Sequence, residues 1–167
     1  KHIEAGFPSA SQDEFDFFRK LINENKIPED VFIMGLTQMR PHLIEKTIQA
    51  FKGCSKGIIH AYIAPSELHM KQVFDITPDE LIETAVSSTK QIRELVDTMP
   101  EADIRYEFSP EEFTDTDINF SIKLCNAVFE AWGKATPEKP IIFNLPATVE
   151  RKLPNQYADM IEIFCQK

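Results

Sequence analysis

A chain of 167 residues with 43% hydrophobic and 27% charged side chains has the balance of a soluble globule and room for one well-filled core. Its net charge of −9 argues against a polyanion-binding surface, so no nucleic-acid partner is expected. Apolar runs stop after about five to eight residues, far short of a span, and no basic-then-apolar leader is visible. The expectation is therefore a cytoplasmic protein with no membrane partner.

In chain order, the sequence repeats one phrase: a short apolar strand, a polar junction, an amphipathic helix. The first strand is "HIEAGF", followed by a helix through "SQDEFDFFRKLINEN", where Phe15, Phe18 and Ile22 fall on one face. Next comes "VFIMGLT", with Phe32, Met34 and Met39 as core residues, and a helix through "HLIEKTIQAFKG" that ends at Gly53. Then "GIIHAYIA" precedes a long helix opening on "TPDELIETA". There Thr77, Pro78 and Glu80 compose a capping box with proline in the first turn. The fourth unit is "DIRYEFSP" with "DINFSIKLCNAVFEAW", whose stripe is Phe120, Leu124 and Val128, with Cys125 in the helix core. The fifth is "PIIFNLP" with "NQYADMIEIF"; Ile141, Ile142 and Phe143 show no polar alternation, as expected of a strand buried on both faces.

Successive strand–helix units imply an α/β fold of five consecutive parallel βα units, because each helix is the crossover that parallel pairing requires. Two architectures remain open at this level, a doubly wound open sheet and part of a (β/α)₈ barrel, the latter typically needing about 250 residues when complete. A nucleotide-binding doubly wound protein would need a glycine-rich strand–helix turn, and neither G-x-G-x-x-G nor G-K-[ST] occurs among five glycines.

Polar residues collect at one end of these strands. Glu4, Gly6, Ser9 and Ser11 belong to the first junction, Thr37, Gln38 and Arg40 to the second, and His60, Tyr62, Ser66 and His69 to the third. Glu107, Ser109 and Glu111 mark the fourth, and Asn144, Thr148 and Glu150 the fifth. The loops entering the strands ("ENKIPED", "GCSKG", "TMPEAD", "KATPEKP") are plain polar turns. This asymmetry is that of parallel α/β enzymes, whose carboxyl-terminal face gathers a loop from every strand. Taken singly, each residue has a plainer job: Ser9, Ser11 and Thr37 as helix caps, Asn144 as partner to strand-end backbone groups, His60 as a satisfied buried imidazole, and Glu107 and Glu111 as solvated charges. His2 and His42 read as surface residues. Cys54, Cys125 and Cys165 are odd in number and never in C-x-x-C, and no H-x-H or H-E-x-x-H occurs, so neither a disulfide framework nor a complete metal site is visible.

The phrases "IEAGFPSASQDEFDF", "GIIHAYIAPSELHMK", "YEFSPEEFTDT" and "PIIFNLPATVERKLPNQYAD", in this order over essentially the whole chain, resemble the α-isopropylmalate synthases. Those enzymes sit within the 2-oxoacid condensing family, with homocitrate and citramalate synthases as alternatives. The resemblance implies a TIM-type (β/α)₈ barrel whose strands two to six are present, residues 1–167 forming one partial catalytic-barrel domain. It implies an acyltransferase of leucine biosynthesis that converts the acyl group to alkyl on transfer, joining acetyl-CoA to 2-oxoisovalerate, and a homodimer. The family's divalent ion (Mg, Mn or Zn) is held by an aspartate near the end of strand one and an H-x-H at strand seven. Neither occurs here, nor does a C-terminal regulatory domain, so a central part of a longer enzyme is expected.

Carried over by position, Thr148 in "PATVE" matches the threonine that hydrogen-bonds the oxoacid carboxylate, and Glu111 in "SPE" a carboxylate of the oxoacid pocket. His60, with Glu111, is the catalytic candidate; Glu4, Asn144 and Arg40 join Thr148 as substrate-binding candidates. Two departures stand out: Ile63 and Pro65 occupy positions that are polar in many relatives, and Leu153 stands where a capping threonine is common. "IAPSELHMK" leans towards another branch of the family, in which His69 aligns. A non-catalytic partial-barrel module is the competing reading.

Overall fold

Parallel strands joined by right-handed crossovers and laid down in sequential order place every helix on the same side of the sheet. That is the arrangement here. The computed structural model describes residues 1–167 and pairs the strands in the order β1-β2-β3-β4-β5, all neighbours parallel. The strands are β1 (His2–Glu4), β2 (Phe32–Gln38), β3 (Lys56–Ile63), β4 (Asp103–Pro110) and β5 (Ile142–Phe143). A doubly wound sheet reverses its strand order at a switch point; this sheet never does. It curls into half of a TIM barrel, with the helices outside and a concave inner face.

The helices are α1 (Gln12–Asn23), α2 (Pro41–Ala50), a short α3 (Glu67–His69) running into a π turn over Met70–Phe74, α4 (Pro78–Val96), α5 (Ile118–Trp132) and α6 (Pro154–Cys165), with a 3-10 turn at Phe113–Asp115. Each start has a local cause. Ser11 accepts from the Glu14 N–H to cap α1, Asp117 accepts from Phe120 N–H to cap α5, and Thr77 with Glu80 closes a reciprocal capping box on α4. At α6, Leu153 offers no side-chain acceptor; only the return half of the box exists, with Gln156 Oε1 accepting from Leu153 N–H at 3.1 Å. The segment 67–74 is shorter than the window of about 11 residues over which helical periodicity can be read, so the sequence does not announce it.

Several other expectations are corrected. Helix α2 stops at Ala50 rather than Gly53; Gly53 closes the following turn at φ +82°. Ser9 and Thr37 cap nothing: Thr47 Oγ1 lies 3.1 Å from Ser9 Oγ, and the buried Thr37 hydroxyl donates to the Gln38 carbonyl. Phe32 is only half-buried, on the inner face under the Arg105 guanidinium, whose carbon lies 4.2 Å from the ring centre. The fifth strand is two residues long, and Ile141, Ile142 and Phe143 are half-buried rather than covered on both faces. It is an edge strand between Pro140 and Pro146, which have no N–H to give. The ladder reaches one residue further, through Asn144 N–H to the Phe108 carbonyl at 3.0 Å.

The core lies between the sheet and the helices. Strand residues Ile59, Ala61, Ile63, Tyr106 and Phe108 face Phe18, Ile44, Leu81, Ile92, Leu124 and Val128. Cys125 belongs here as expected, and burial pushes its thiol up to about 12. Phe51 is fully buried, tilted against Phe18 at 4.8 Å between ring centres. Its ring lies so close to β2 and β3 that a Cβ on Gly35 would fall 2.8 Å from it, and one on Gly57 only 2.6 Å. Backbone proximity, not conformational freedom, demands glycine at both places.

Gly57→Ala should therefore act as an overpacking substitution, lowering unfolding stability by about 1–3 kcal/mol in urea titration. An unchanged midpoint would mean that Phe51 does not rest on the strand backbone.

Candidate functional site

Side chains alternate along each strand, so the residues between the core positions line the inner face. Register sets them in rows. Leu36, His60, Glu107 and Ile142 are successive partners in one row; Gln38, Tyr62 and Ser109 form the next one towards the carboxyl ends. Asn144 continues that upper row from β5.

Three of these groups, together with Glu4 of β1, form one hydrogen-bonded chain. His60 Nδ1 lies 2.8 Å from Glu4 Oε2, and Nε2 lies 2.7 Å from Ser109 Oγ. Asn144 Nδ2 donates to the same Ser109 oxygen at 2.9 Å. A second carboxylate, Glu107, stands 3.7 Å from His60 Nε2. Burial holds the Glu107 carboxyl above the usual range; the His60 charge opposes this and the Glu4 charge adds to it.

Bonding capacity gives the chain two states. With a neutral imidazole donating from Nδ1 to Glu4, Ser109 gives its hydroxyl proton to Nε2. With an imidazolium, both ring nitrogens donate, Ser109 accepts from His60 and Asn144, and its own proton turns to the cavity. The protonation of one buried histidine thus decides whether the rim carries an extra donor.

That rim encloses a cavity of about 220 Å³. His60, Tyr62, Ser109, Glu111, Asn144 and Thr148 supply its polar lining, and Leu36 with Pro146 its apolar wall. Glu111 sits just beyond β4, its N–H donating to the Ile63 carbonyl at 2.9 Å. Burial pushes its carboxyl above the ordinary value, the neighbouring Glu112 charge pushes further, and His69 partly opposes both. The Tyr62 phenol is also raised, by burial first, then by the Glu111 charge, with Arg40 opposing. Thr148 Oγ1 accepts from Glu112 N–H at 3.2 Å, which leaves its hydroxyl proton free to donate.

Four of the sequence candidates, Glu111, His60, Asn144 and Thr148, therefore meet around one space, and Glu4 reaches it through His60. Arg40 does not line this cavity. It is exposed at the start of α2, beside a separate hollow with Ile63, Val73 and Phe74, and touches the rim only through its field on Tyr62. Ser109 and Tyr62 stand among the polar strand-end residues, yet neither was singled out. Their period-2 spacing from Glu107 and His60 was the available signal. Ile63 and Pro65 are buried, and neither lines this cavity.

A larger cavity, about 710 Å³, lies outside the sheet between the 67–77 segment and the start of α5. Its acids mostly have structural work: Glu67 pairs with Lys71, Glu80 caps α4, Asp115 meets Arg151 and Asp117 caps α5. The polar groups that converge from several strands, with His60 and Ser109 buried among them, are at the smaller one. No three His, Cys, Asp or Glu side chains come together as metal ligands. His60 fits that role poorly, since both ring nitrogens are engaged by protein groups. No helix is long and apolar enough to cross a membrane.

The chain resembles proteins of known name over nearly all its length. It is 48% identical over 162 residues to the 2-isopropylmalate synthase of Ralstonia nicotianae, covering 97% of this chain and 28% of that protein. It is 45% identical over 166 residues to the 2-isopropylmalate synthase of Clavibacter sepedonicus, covering 99% of this chain and 28% of the relative. It is 44% identical to that of Clostridium acetobutylicum, covering 100% of this chain and 30% of the relative. The chain thus spans less than a third of the length of these relatives. The HMGL-like family pattern matches residues 1–167 from end to end, and with the barrel arc and its polar rim this places the chain in the HMGL-like family.

Proposed function

We propose that the rim around the 220 Å³ cavity is the 2-oxo acid half of a Claisen-type condensation site, of the kind that joins acetyl-CoA to 2-oxoisovalerate in a 2-isopropylmalate synthase. The observation that carries this reading is the convergence of Glu111, Thr148, Ser109 and Asn144 on one small, partly apolar space at the carboxyl ends of parallel strands. Among the condensing enzymes, the names of the relatives favour 2-isopropylmalate over homocitrate or citramalate formation.

In the reaction, the acetyl methyl loses a proton, the enolate carbon bonds to the ketone carbon, and the ketone oxygen becomes an alkoxide that is then protonated. Water cleaves the thioester, leaving a carboxylate and the CoA thiol. A divalent ion, where bound, supplies polarisation of the ketone; the residues here do not form its ligand set, and their own work is separate. Thr148 donates its free hydroxyl proton to the acid's carboxylate, with Asn144 and Ser109 alongside. Leu36 and Pro146 pack the alkyl branch. Glu4 orients His60, and His60 sets the direction of the Ser109 hydroxyl. Glu111 is the proton-exchanging group, since a carboxylate with raised proton affinity is a better acceptor at the rim. Arg40 contributes a positive charge near Tyr62. The complete protein is a cytoplasmic acyltransferase of leucine biosynthesis in this reading, acting as a homodimer, with residues 1–167 as one partial-barrel unit.

Thr148→Ala in the complete protein should raise the KM for 2-oxoisovalerate about tenfold or more, the loss of one charged hydrogen bond, with circular dichroism unchanged. Wild-type kinetics in that variant would remove the threonine from the pocket. Glu111 ionises only above its raised pKa, so kcat/KM should fall on acidification at a pH higher than an ordinary carboxylate gives. Glu111→Gln should lower kcat by at least about 10²-fold and erase that acidic limb. A persisting limb would assign it to another group.

A further inference from the structure

Behind the pocket lies a polar cluster that the proposed reaction does not use. Glu112 is buried, only 7% exposed, and carries a left-handed backbone at φ 58°, which a non-glycine residue adopts rarely. Its N–H, its carbonyl and one carboxylate oxygen are all engaged. Its carboxylate accepts from the Ser66 hydroxyl and lies 2.8 Å from His69 Nδ1, both in the segment after β3. Its N–H donates to Thr148 Oγ1 at 3.2 Å, in the segment after β5. Its carbonyl accepts from Thr116 Oγ1 at 2.9 Å and from the Asp115 N–H at 2.9 Å. Three loops therefore meet on one residue. The left-handed turn also sends consecutive side chains apart: Glu111 into the cavity, Glu112 back towards Ser66 and His69. Strained backbone held by so many partners is a device for fixing geometry rather than a loop accident.

We propose that Glu112 is a positioning residue for the oxoacid pocket, fixing Glu111 and Thr148 relative to each other by anchoring both to Ser66 and His69. This rests on the reading of the rim as an oxoacid site. Its N–H takes one acceptor site of Thr148 Oγ1, which holds the oxygen in place and leaves the hydroxyl proton free to point towards a ligand. Its peptide link fixes the height of Glu111, and its charge acts on Glu111 in the direction opposite to His69. The other ionisable groups facing Glu111 are Tyr62 and His60 from β3, while the β5 side presents only the neutral Asn144 and Thr148. A positioning role is visible in substrate selectivity, because a displaced anchor of about 1 Å can cost ~10²-fold in rate.

The test uses the complete protein with Glu112→Gln and His69→Gln, and two readouts. The first is the KM for 2-oxoisovalerate against that for acetyl-CoA. The second is the titration of the Glu111 carboxyl carbon by NMR, which needs no turnover. Glu112→Gln removes a negative neighbour, so the Glu111 midpoint should move to lower pH; His69→Gln removes a positive one, so it should move to higher pH. Both variants should raise the oxoacid KM about tenfold and leave that for acetyl-CoA unchanged. If Glu112→Gln does not fold, the selective rise of the oxoacid KM in His69→Gln, partly exposed and easier to replace, decides alone. Unmoved midpoints, or shifts of the same sign in both variants, would overturn the proposal. Should the wild type lack condensation while the midpoints move in opposite directions, the functional reading fails and the placement of Glu111 between Glu112 and His69 stands on its own.

Discussion

Parallel pairing of β3 with β4 over eight residues, Lys56↔Asp103 to Ile63↔Pro110, is the constraint on which the rest of this structure depends. It sets His60 beside Glu107 and Tyr62 beside Ser109, and a slip of β4 by one residue would turn Glu107 and Ser109 into the helix-packed core. That core holds the register from the other side: Ile59, Ala61, Tyr106 and Phe108 are almost wholly buried against the helices. Apolar burial outside thus determines where the polar groups stand inside. The site is positioned by a surface it never touches.

Much of this was legible from the residues. Continuous apolar runs separated by amphipathic helices gave the parallel α/β class, and "DIRYEFSP" coincides with β4 from end to end. Thr77 and Glu80 announced their helix because a capping box is a local arrangement. Signals failed where the deciding contact was distant. Ser9 resembled a cap until Thr47, far along the chain, took its oxygen. Ile141 to Phe143 looked fully buried, but burial depends on a strand's place in the sheet, and β5 lies at the edge. Glu112 was indistinguishable from Glu111 in "SPEE"; only the sign of one φ angle separates a cavity residue from an anchor. The choice between barrel and doubly wound sheet likewise needed strand order, which no single segment contains.

The acidic character of the rim has a physical logic. Glu4, Glu107, Glu111 and Glu112 lie within one neighbourhood, and mutual repulsion with desolvation would ordinarily make such a set costly. Two histidines resolve most of it. His60 stands between Glu4 and Glu107, and His69 faces Glu112. Glu111 is the member of the set with no histidine at contact distance, and it faces the cavity. The carboxyl whose proton affinity is raised with no histidine in contact is therefore also one that lines the cavity.

Strands and loops divide the positioning between them. The strands fix depth: His60 and Ser109 take their heights from the β3–β4 register, and the Asn144 amide reaches the same level because the ladder extends one residue past Phe143. The loops fix angle, and they do so through side chains rather than backbone ladders, since the segments after β3, β4 and β5 have no regular pairing to each other. A loop held only by turns would wander; these three are cross-tied through Ser66, His69, Glu112 and Thr148. A rigid scaffold alone does not make a pocket of defined shape, because its rim is made of the least regular backbone in the fold. What makes this rim definite is that one buried carboxylate and one peptide N–H, both from the same residue, reach the two loops on either side of it.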